Sequence, residues 1–243
     1  MAGMVRMGPH MKLTPKRPLE PGDLDRARYV VDTLRRSLVP YRNYRVALAQ
    51  GMRIFLPSVP QNVYHFVDLR ASGKEYQGRF DASRPGSLLY VKNGAGYRLV
   101  GAMYSAPPDY TLRDIDQLIP LSVARWHVHT NICLPRGISL DDLIWDRIGV
   151  GDPGMPGMLP ASAPRARELN HELGFMADGR FGFEGTITTV AQCTAAGGHF
   201  LTQAFGWMVH VYPFAGNDLK VAFGMTVPGA SSETSLASSQ ARP

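Results

Sequence analysis

Two histidines separated by a single residue carry the clearest chemical signal in this sequence of 243 residues. They are His127 and His129, in a segment with the apolar and β-branched character of a strand. Alternate side chains of a β-strand point to the same face, so the two imidazoles would project together, about 6–7 Å apart. Imidazole is the commonest nitrogen ligand of protein-bound metals. The pair therefore predicts half of a metal site on a rigid strand.

Two further histidines, His65 and His210, lie in other apolar segments that also have the composition of strands. Taken singly, each would more often be a hydrogen-bonded core residue. Burying four imidazoles without partners would leave several polar nitrogens unsatisfied, whereas a shared metal would satisfy them. We predict His127, His129 and His210 as ligands, with His65 as a fourth ligand or as a group that orients the others.

The other three histidines are weaker candidates. His10 lies in a Gly-Pro-His-Met sequence that looks like the remnant of a tag-removal vector, so it is given no functional role. His171 is expected on an exposed polar helix. His199 follows two glycines at a helix end, where capping or surface exposure is the expected role.

The donor set restricts the metal and the reaction class. An all-imidazole site suits one copper or zinc ion, and iron is possible although it is less well matched without a carboxylate. Copper or iron would give an oxidoreductase that activates O2 or peroxide, and zinc would give a hydrolase. A site closed by all four histidines would instead be a non-catalytic metal-binding protein. The predicted pocket residues are Tyr64, Trp126, Asn131, Trp207, Met208 and Tyr212.

Other catalytic motifs are absent from the sequence. It contains no GxSxG, no HExxH and no glycine-rich phosphate loop. A nucleophilic pair of Cys133 and His129 is conceivable, but it conflicts with a disulfide at Cys133. No catalytic residue beyond the ligands can be assigned.

The two cysteines, Cys133 and Cys193, are either two buried thiols or one disulfide, and we favour the disulfide. Closing a loop of about 60 residues would contribute roughly 4 kcal/mol on the chain-entropy account. A disulfide indicates an oxidising compartment, so we expect a periplasmic or secreted protein, although no signal peptide is recognisable. A cytoplasmic location is the alternative.

The overall pattern predicts an α+β fold, mainly an antiparallel sheet or barrel with peripheral helices. Frequent Gly (25) and Pro (19) favour many turns, and a hairpin is expected at 87–106. We assign 1–22 to a leader or vector remnant, 23–228 to one metal-binding domain and 229–243 to a disordered tail. Helices are expected at 23–38, 41–50, 111–118, 140–148, 165–173 and 188–196, a long loop at 149–164 and a strand at 219–223.

Charge and hydropathy restrict the partners. The formal net charge is +6, but the basic residues are scattered rather than gathered into a stripe, which argues against nucleic-acid binding. A small or anionic substrate is compatible with this surface. No apolar run reaches the length of about 18–20 residues that a membrane span needs. The oligomeric state is not predicted.

Several phrases resemble an uncharacterised family of bacterial, often exported, proteins. Its signature corresponds here to WHxHxNxC at 126–133 and GWMVHVYPF at 206–214, and the resemblance supports the location and the site without implying an activity. A Cys-helix-Gly-Gly element at 193–198 resembles one that is common in secreted disulfide proteins. The HxH pair with a later histidine is also partly similar to the cupin pattern, from which the expected carboxylate is missing. Further phrases of the bacterial family are at 41–51, 63–66 and 101–104.

Overall fold

The computed structural model describes residues 4–55, 61–137 and 179–229. The helices expected at 140–148 and 165–173, the loop at 149–164 and His171 lie outside the described residues. So does all but the first residue of the predicted tail at 229–243.

An antiparallel sheet of eight strands dominates the part of the chain that the structure describes, which confirms the predicted α+β class. The spatial order is β1-β2-β7-β8-β6-β5-β4-β3, with β1 and β3 at open edges, so the described strands form a sheet and not a closed barrel. The strands are β1 (Val5–Arg6), β2 (Met11–Leu13), β3 (Arg53–Ile54), β4 (Tyr64–Val67), β5 (Ser87–Asn93), β6 (Gly96–Ala106), β7 (His127–Leu134) and β8 (His199–Val211).

Short helices surround the sheet, and most begin at a side-chain cap. Thr111 and Thr189 form capping boxes at the start of α4 and α5. The strand expected at 219–223 is wrong: Asp218 accepts the backbone N–H of Lys220 and starts a helix there. Within the described residues, no helix is long and apolar enough to cross a membrane. The helices are α1 (Asp23–Ser37), α2 (Tyr44–Ala49), α3 (Leu69–Glu75), α4 (Leu112–Leu118), α5 (Val190–Ala195) and α6 (Leu219–Ala222).

The main core lies between one face of the sheet, here called the core face, and the helices. α1 buries Ala27, Val31 and Leu34, which recur at helical spacing, against this face. The strands contribute alternate large side chains, each of which is almost completely buried. These include Tyr64, Phe66, Leu88, Tyr90, Tyr104, Trp126, Val209 and Val211.

A charged cluster fixes the N-terminus of α1 to α4. Gly22 occupies the N-cap position of α1, and the buried Asp23 carboxylate accepts from Arg17, Arg26 and Ser122. These donors, above all Arg17, hold the pKa of Asp23 well below its usual range. Asp116 on α4 also accepts from Arg17.

The amino-terminal segment takes part in the sheet. β2 pairs with β7, so that Met11 lies opposite His129 and Leu13 opposite His127. The residues assigned to a leader or vector remnant therefore include strands that extend the sheet beside the candidate ligands.

The disulfide between Cys133 and Cys193 is confirmed, with a Cα–Cα distance of 5.6 Å. It joins β7 to α5, and both cysteines are fully buried. The described residues contain no free thiol, so a nucleophilic pair of Cys133 and His129 is excluded.

Candidate metal centre

All four candidate histidines project from the face of the sheet opposite the main core. On β4 the buried Tyr64 and Phe66 point into the core, so His65 between them points to the other side. On β8, Val209 and Val211 point into the core and His210 points away. We call this second surface the histidine face.

The four imidazoles form a continuous chain of contacts from β7 to β4. The ring centroid of His127 lies 5.5 Å from that of His129 and 5.2 Å from that of His210. The His210 centroid in turn lies 5.7 Å from that of His65. The structure therefore brings together the four residues that the sequence proposed, with His127 next to both His129 and His210.

This contact requires the sheet to curl strongly. β4 and β8 are three strand positions apart, which would place them about 14 Å apart in a flat sheet. The short distance between His65 and His210 therefore makes the histidine face concave. Phe55, which follows β3, also meets Phe205 on β8 with ring centroids 6.0 Å apart, so the curl continues to the sheet edge.

Two local irregularities accompany the curl. The register shifts between Leu89 and Tyr90 in the β5–β6 pair and between His127 and His129 in the β7–β8 pair. Bulges of this kind bend strands and increase their twist, and they occur often beside functional sites. At the second bulge Phe205 has a φ of 66°, a left-handed conformation that side chains adopt at a cost of roughly 1–2 kcal/mol.

A glycine on the neighbouring strand β6 makes room for the ring of Tyr212 beside the cluster. Gly101 on β6 lies between β5 and β8, and a Cβ there would collide with the backbone oxygen of Val211 and the ring of Tyr212. With its ring in the space that Gly101 leaves open, Tyr212 has its hydroxyl 3.4 Å from Nδ1 of His210, at the distance of a long hydrogen bond. A contact to one ring nitrogen orients an imidazole and leaves the other nitrogen for a ligand.

The cluster keeps its histidines neutral. Burial lowers the pKa of His65 to about 4 and that of His210 to about 3, and repulsion between the histidines adds to the effect. Burial also lowers the pKa of His129 to about 4, with a smaller opposing contribution from a backbone contact to His10. For His127 the same causes hold the pKa well below its usual value. All four therefore present unprotonated nitrogen at neutral pH.

Several buried polar atoms of this region have no protein partner. Within the described residues, the buried side-chain nitrogen and oxygen atoms without a hydrogen bond all fall between positions 125 and 130. An unpaired buried group of this kind costs about 1–3 kcal/mol, which a metal or a ligand can offset. The atoms are Nε of Arg125, Nδ1 of His127, Nδ1 of His129 and Oγ1 of Thr130.

Three of the predicted pocket residues belong instead to the core face. Tyr64 and Trp126 are buried in the main core, and the Trp207 indole packs against that core while it donates to the carbonyl of Tyr110. They precede His65, His127 and Met208 in sequence, so strand alternation sends them to the opposite side. The prediction that these three residues line the pocket is therefore wrong.

The other three predicted pocket residues have different positions. Met208 lies on the histidine face directly opposite His127, and Tyr212 contacts His210. The Asn131 amide is directed elsewhere, because it donates to the carbonyl of Pro9.

The structure also places residues at the site that the sequence did not suggest. Phe183 packs edge-on against His129 at a centroid distance of 5.0 Å and stacks on Phe205 at 5.7 Å. His10, which had been set aside, is buried, with Nε2 2.6 Å from the carbonyl oxygen of Gly185. Neither contact is local in sequence, so neither had a detectable sequence signal.

The spacing of neighbouring rings is compatible with a shared metal, whereas the present arrangement of all four is not a formed site. Four imidazoles around a tetrahedral ion, each with nitrogen about 2 Å from the metal, place neighbouring ring centres about 5 Å apart. The three contacts at 5.2–5.7 Å are close to that value, but a tetrahedral set needs all six ring pairs at this distance, and these rings are in contact only along a chain. However, no three His, Cys, Asp or Glu side chains among the described residues are positioned to hold an ion as they stand. Binding would therefore require the imidazoles to rotate about Cβ–Cγ, a soft torsion.

No protein-family model, curated protein or solved structure matches this chain. The resemblance to a bacterial exported family stays a prediction.

Proposed function

We propose that this protein is a metal-dependent enzyme with a histidine-only centre for one transition-metal ion, and that it is a copper or iron oxidoreductase. The ligands are His127, His129 and His210, with His65 as a fourth ligand or as an orienting group. One observation carries the proposal: four neutral imidazoles from three strands meet on the concave face, with two buried ring nitrogens unpaired within the described residues.

The alternative explanations of this cluster are weaker on physical grounds. A structural histidine usually gives its buried ring nitrogens to hydrogen-bond partners. A histidine pH switch works by changing charge near neutral pH. Here the pKa of His65, His129 and His210 lies between about 3 and 4, so these groups stay neutral over the physiological range. Neutral imidazole is the form that binds a metal without competition from protons.

Redox chemistry is the reaction class that we favour. Copper and iron change oxidation state and bind well to imidazole, whereas zinc has no redox chemistry. Apolar side chains border the cluster on both sides: Phe183, which stacks on Phe205, packs against His129, Leu89 lies opposite His65, and Tyr212 contacts His210. An apolar shell of this kind limits solvent access and tunes the reduction potential of a bound metal. Three ligands would leave a coordination position for O2, peroxide or substrate.

The test is metal content in protein purified without a histidine tag and reconstituted separately with copper, zinc and iron. We expect about one ion per chain in the wild type and loss of binding in a His127→Ala/His129→Ala variant. His199→Ala is the matched control, because His199 is exposed at the start of β8 and outside the cluster. A wild type that binds none of the three metals would refute the proposal.

A non-catalytic metal-binding protein is the second candidate, and the position of His65 favours it. Its ring lies close enough to His210 to close the coordination sphere as a fourth ligand. His65→Ala separates the two cases. If the variant keeps its metal with unchanged spectra, His65 is not a ligand and a position is open. A changed spectrum together with weaker binding supports the closed, non-catalytic site.

We also propose that the protein works in an oxidising compartment, the periplasm or the cell exterior. The buried disulfide supports this location, because such bonds persist where thiols are not kept reduced. Fractionation of cells that express the native gene should recover the oxidised protein outside the cytoplasm. Recovery of the reduced protein in the cytoplasmic fraction would contradict the proposal.

A further inference from the structure

Two methionines share the histidine face with the candidate ligands. Met208 lies directly opposite His127 in the β7–β8 pair, and Met103 lies directly opposite His210 in the β6–β8 pair. Directly opposed residues point to the same face, with Cβ atoms about 4.5–5.5 Å apart. Each histidine therefore has a thioether as its cross-strand neighbour.

Met208 has the more central position of the two. It precedes His210 by two residues on β8, so it is a same-face neighbour of His210 as well as the partner of His127. It is also buried, with 4% of its surface exposed, whereas Met103 is half-buried. The Met208 side chain thus lies between two candidate ligands in the interior of the curled sheet.

Thioether sulfur distinguishes among the metals that imidazole accepts. Nitrogen ligands alone suit copper, zinc, iron and nickel, but a soft sulfur donor selects Cu(I). Thiolate cannot supply that donor here, because both cysteines of the chain are joined in the disulfide. Any sulfur bound to a metal in this protein must therefore come from methionine.

We propose that the centre is a copper site which holds Cu(I) through His127, His129 and His210 together with the thioether of Met208. This inference rests on the proposed metal centre and specifies its metal, its oxidation state and a ligand that is not a histidine. Met103 is the neighbouring thioether and is not a ligand in this proposal. Zn(II), which gains little from a thioether, binds through the histidines alone.

The test compares isosteric variants of the full chain. Cu(I) affinity is measured anaerobically with ascorbate by competition with bicinchoninate, and Zn(II) affinity with a chromophoric chelator. Met208→Leu should weaken Cu(I) binding on the order of 10–100-fold and change Zn(II) binding by less than about threefold. Met103→Leu should have little effect. Met52→Leu is the matched control, because Met52 is buried in the main core.

A second measurement observes the metal ligands directly, in the wild type and in Met208→Leu. X-ray absorption of the Cu(I)-loaded protein should show one sulfur scatterer beside the nitrogens, and that scatterer should disappear in Met208→Leu. Nitrogen ligands alone, an unchanged affinity in Met208→Leu, or a loss that occurs only in Met103→Leu would overturn the Met208 assignment. In all three outcomes the histidine centre would stand. Failure of the wild type to bind any metal would refute both proposals.

Discussion

The two faces of the sheet are made by the same strands, yet they bury different kinds of side chain. On the core face, Trp126, Tyr104 and Phe66 are almost completely enclosed, and the Trp126 and Tyr104 polar atoms reach backbone carbonyls. On the histidine face, Nδ1 of His127 and Nδ1 of His129 are buried and have no partner within the described residues.

The core face therefore holds residues whose burial stabilises the fold, whereas the histidine face holds polar groups whose burial costs free energy. An apolar side chain in the core contributes about 1.5–3 kcal/mol through burial. An unpaired buried nitrogen costs about 1–3 kcal/mol. The histidine face therefore lowers the stability of the metal-free protein, and we infer that function maintains it.

Acid should destabilise the metal-free protein through the histidine face. Below pH 6.5 the unfolded chain takes up protons on its histidines, whereas His65, His129 and His210 in the folded protein resist protonation until about pH 3–4. Stability is therefore complete above pH 6.5 and is lost as the pH falls towards 4. Between pH 7 and 5 we expect a loss on the order of 5 kcal/mol, measured by urea unfolding in the presence of EDTA.

Glu75 supplies an opposite and smaller pH effect. Burial raises the pKa of this carboxyl to about 8, against the lowering effect of the N–H groups of Ser105 and Gly86 that it binds. Its contribution is present at low pH and declines as the pH rises towards 8, which places maximum stability near pH 6.5. His65→Leu/His210→Leu should reduce the acid slope and leave the alkaline slope unchanged. An unaltered acid slope in that variant would contradict the assignment to the histidines.

Trp126→Ala tests the core face. The indole is fully buried among apolar side chains, so its removal should cost about 3–5 kcal/mol through lost burial and the remaining cavity. Urea unfolding of the metal-free protein measures this, and the variant should still bind metal if it folds. A cost below about 1 kcal/mol would show that the two faces are not as different as their packing indicates.

His127→Leu tests the adjacent position on the opposite face. The change removes the unpaired Nδ1 while it keeps an apolar group of similar size, so the metal-free protein should become more stable by about 1–3 kcal/mol. Added metal should stabilise the wild type by about 4 kcal/mol at 1,000 times its dissociation constant and should stabilise the variant much less. Thermal unfolding with and without metal measures both effects. A severe loss of stability without metal would instead make His127 a structural residue.

Much of the fold could be predicted because its signals are local. The hydrophobic spacing of α1 and the glycines between β5 and β6 are encoded within a few residues, and both predictions are confirmed. The segment that forms α6 was assigned as a strand because four residues are too few to show a period. Tyr64, Trp126 and Trp207 were assigned to the pocket for their proximity in sequence, although adjacent residues of a strand face opposite ways.

The sequence by itself determined which chemistry is available. Four histidines in apolar strands, two cysteines and a strand period of two are properties of the chain, and they were sufficient to nominate the site and the disulfide. Only the tertiary structure decided which groups meet. The approach of His65 to His210 depends on the curl of the sheet, and the pairing of Met208 with His127 and of Met103 with His210 depends on register. Curl and register arise from contacts between distant strands, so no local pattern encodes them.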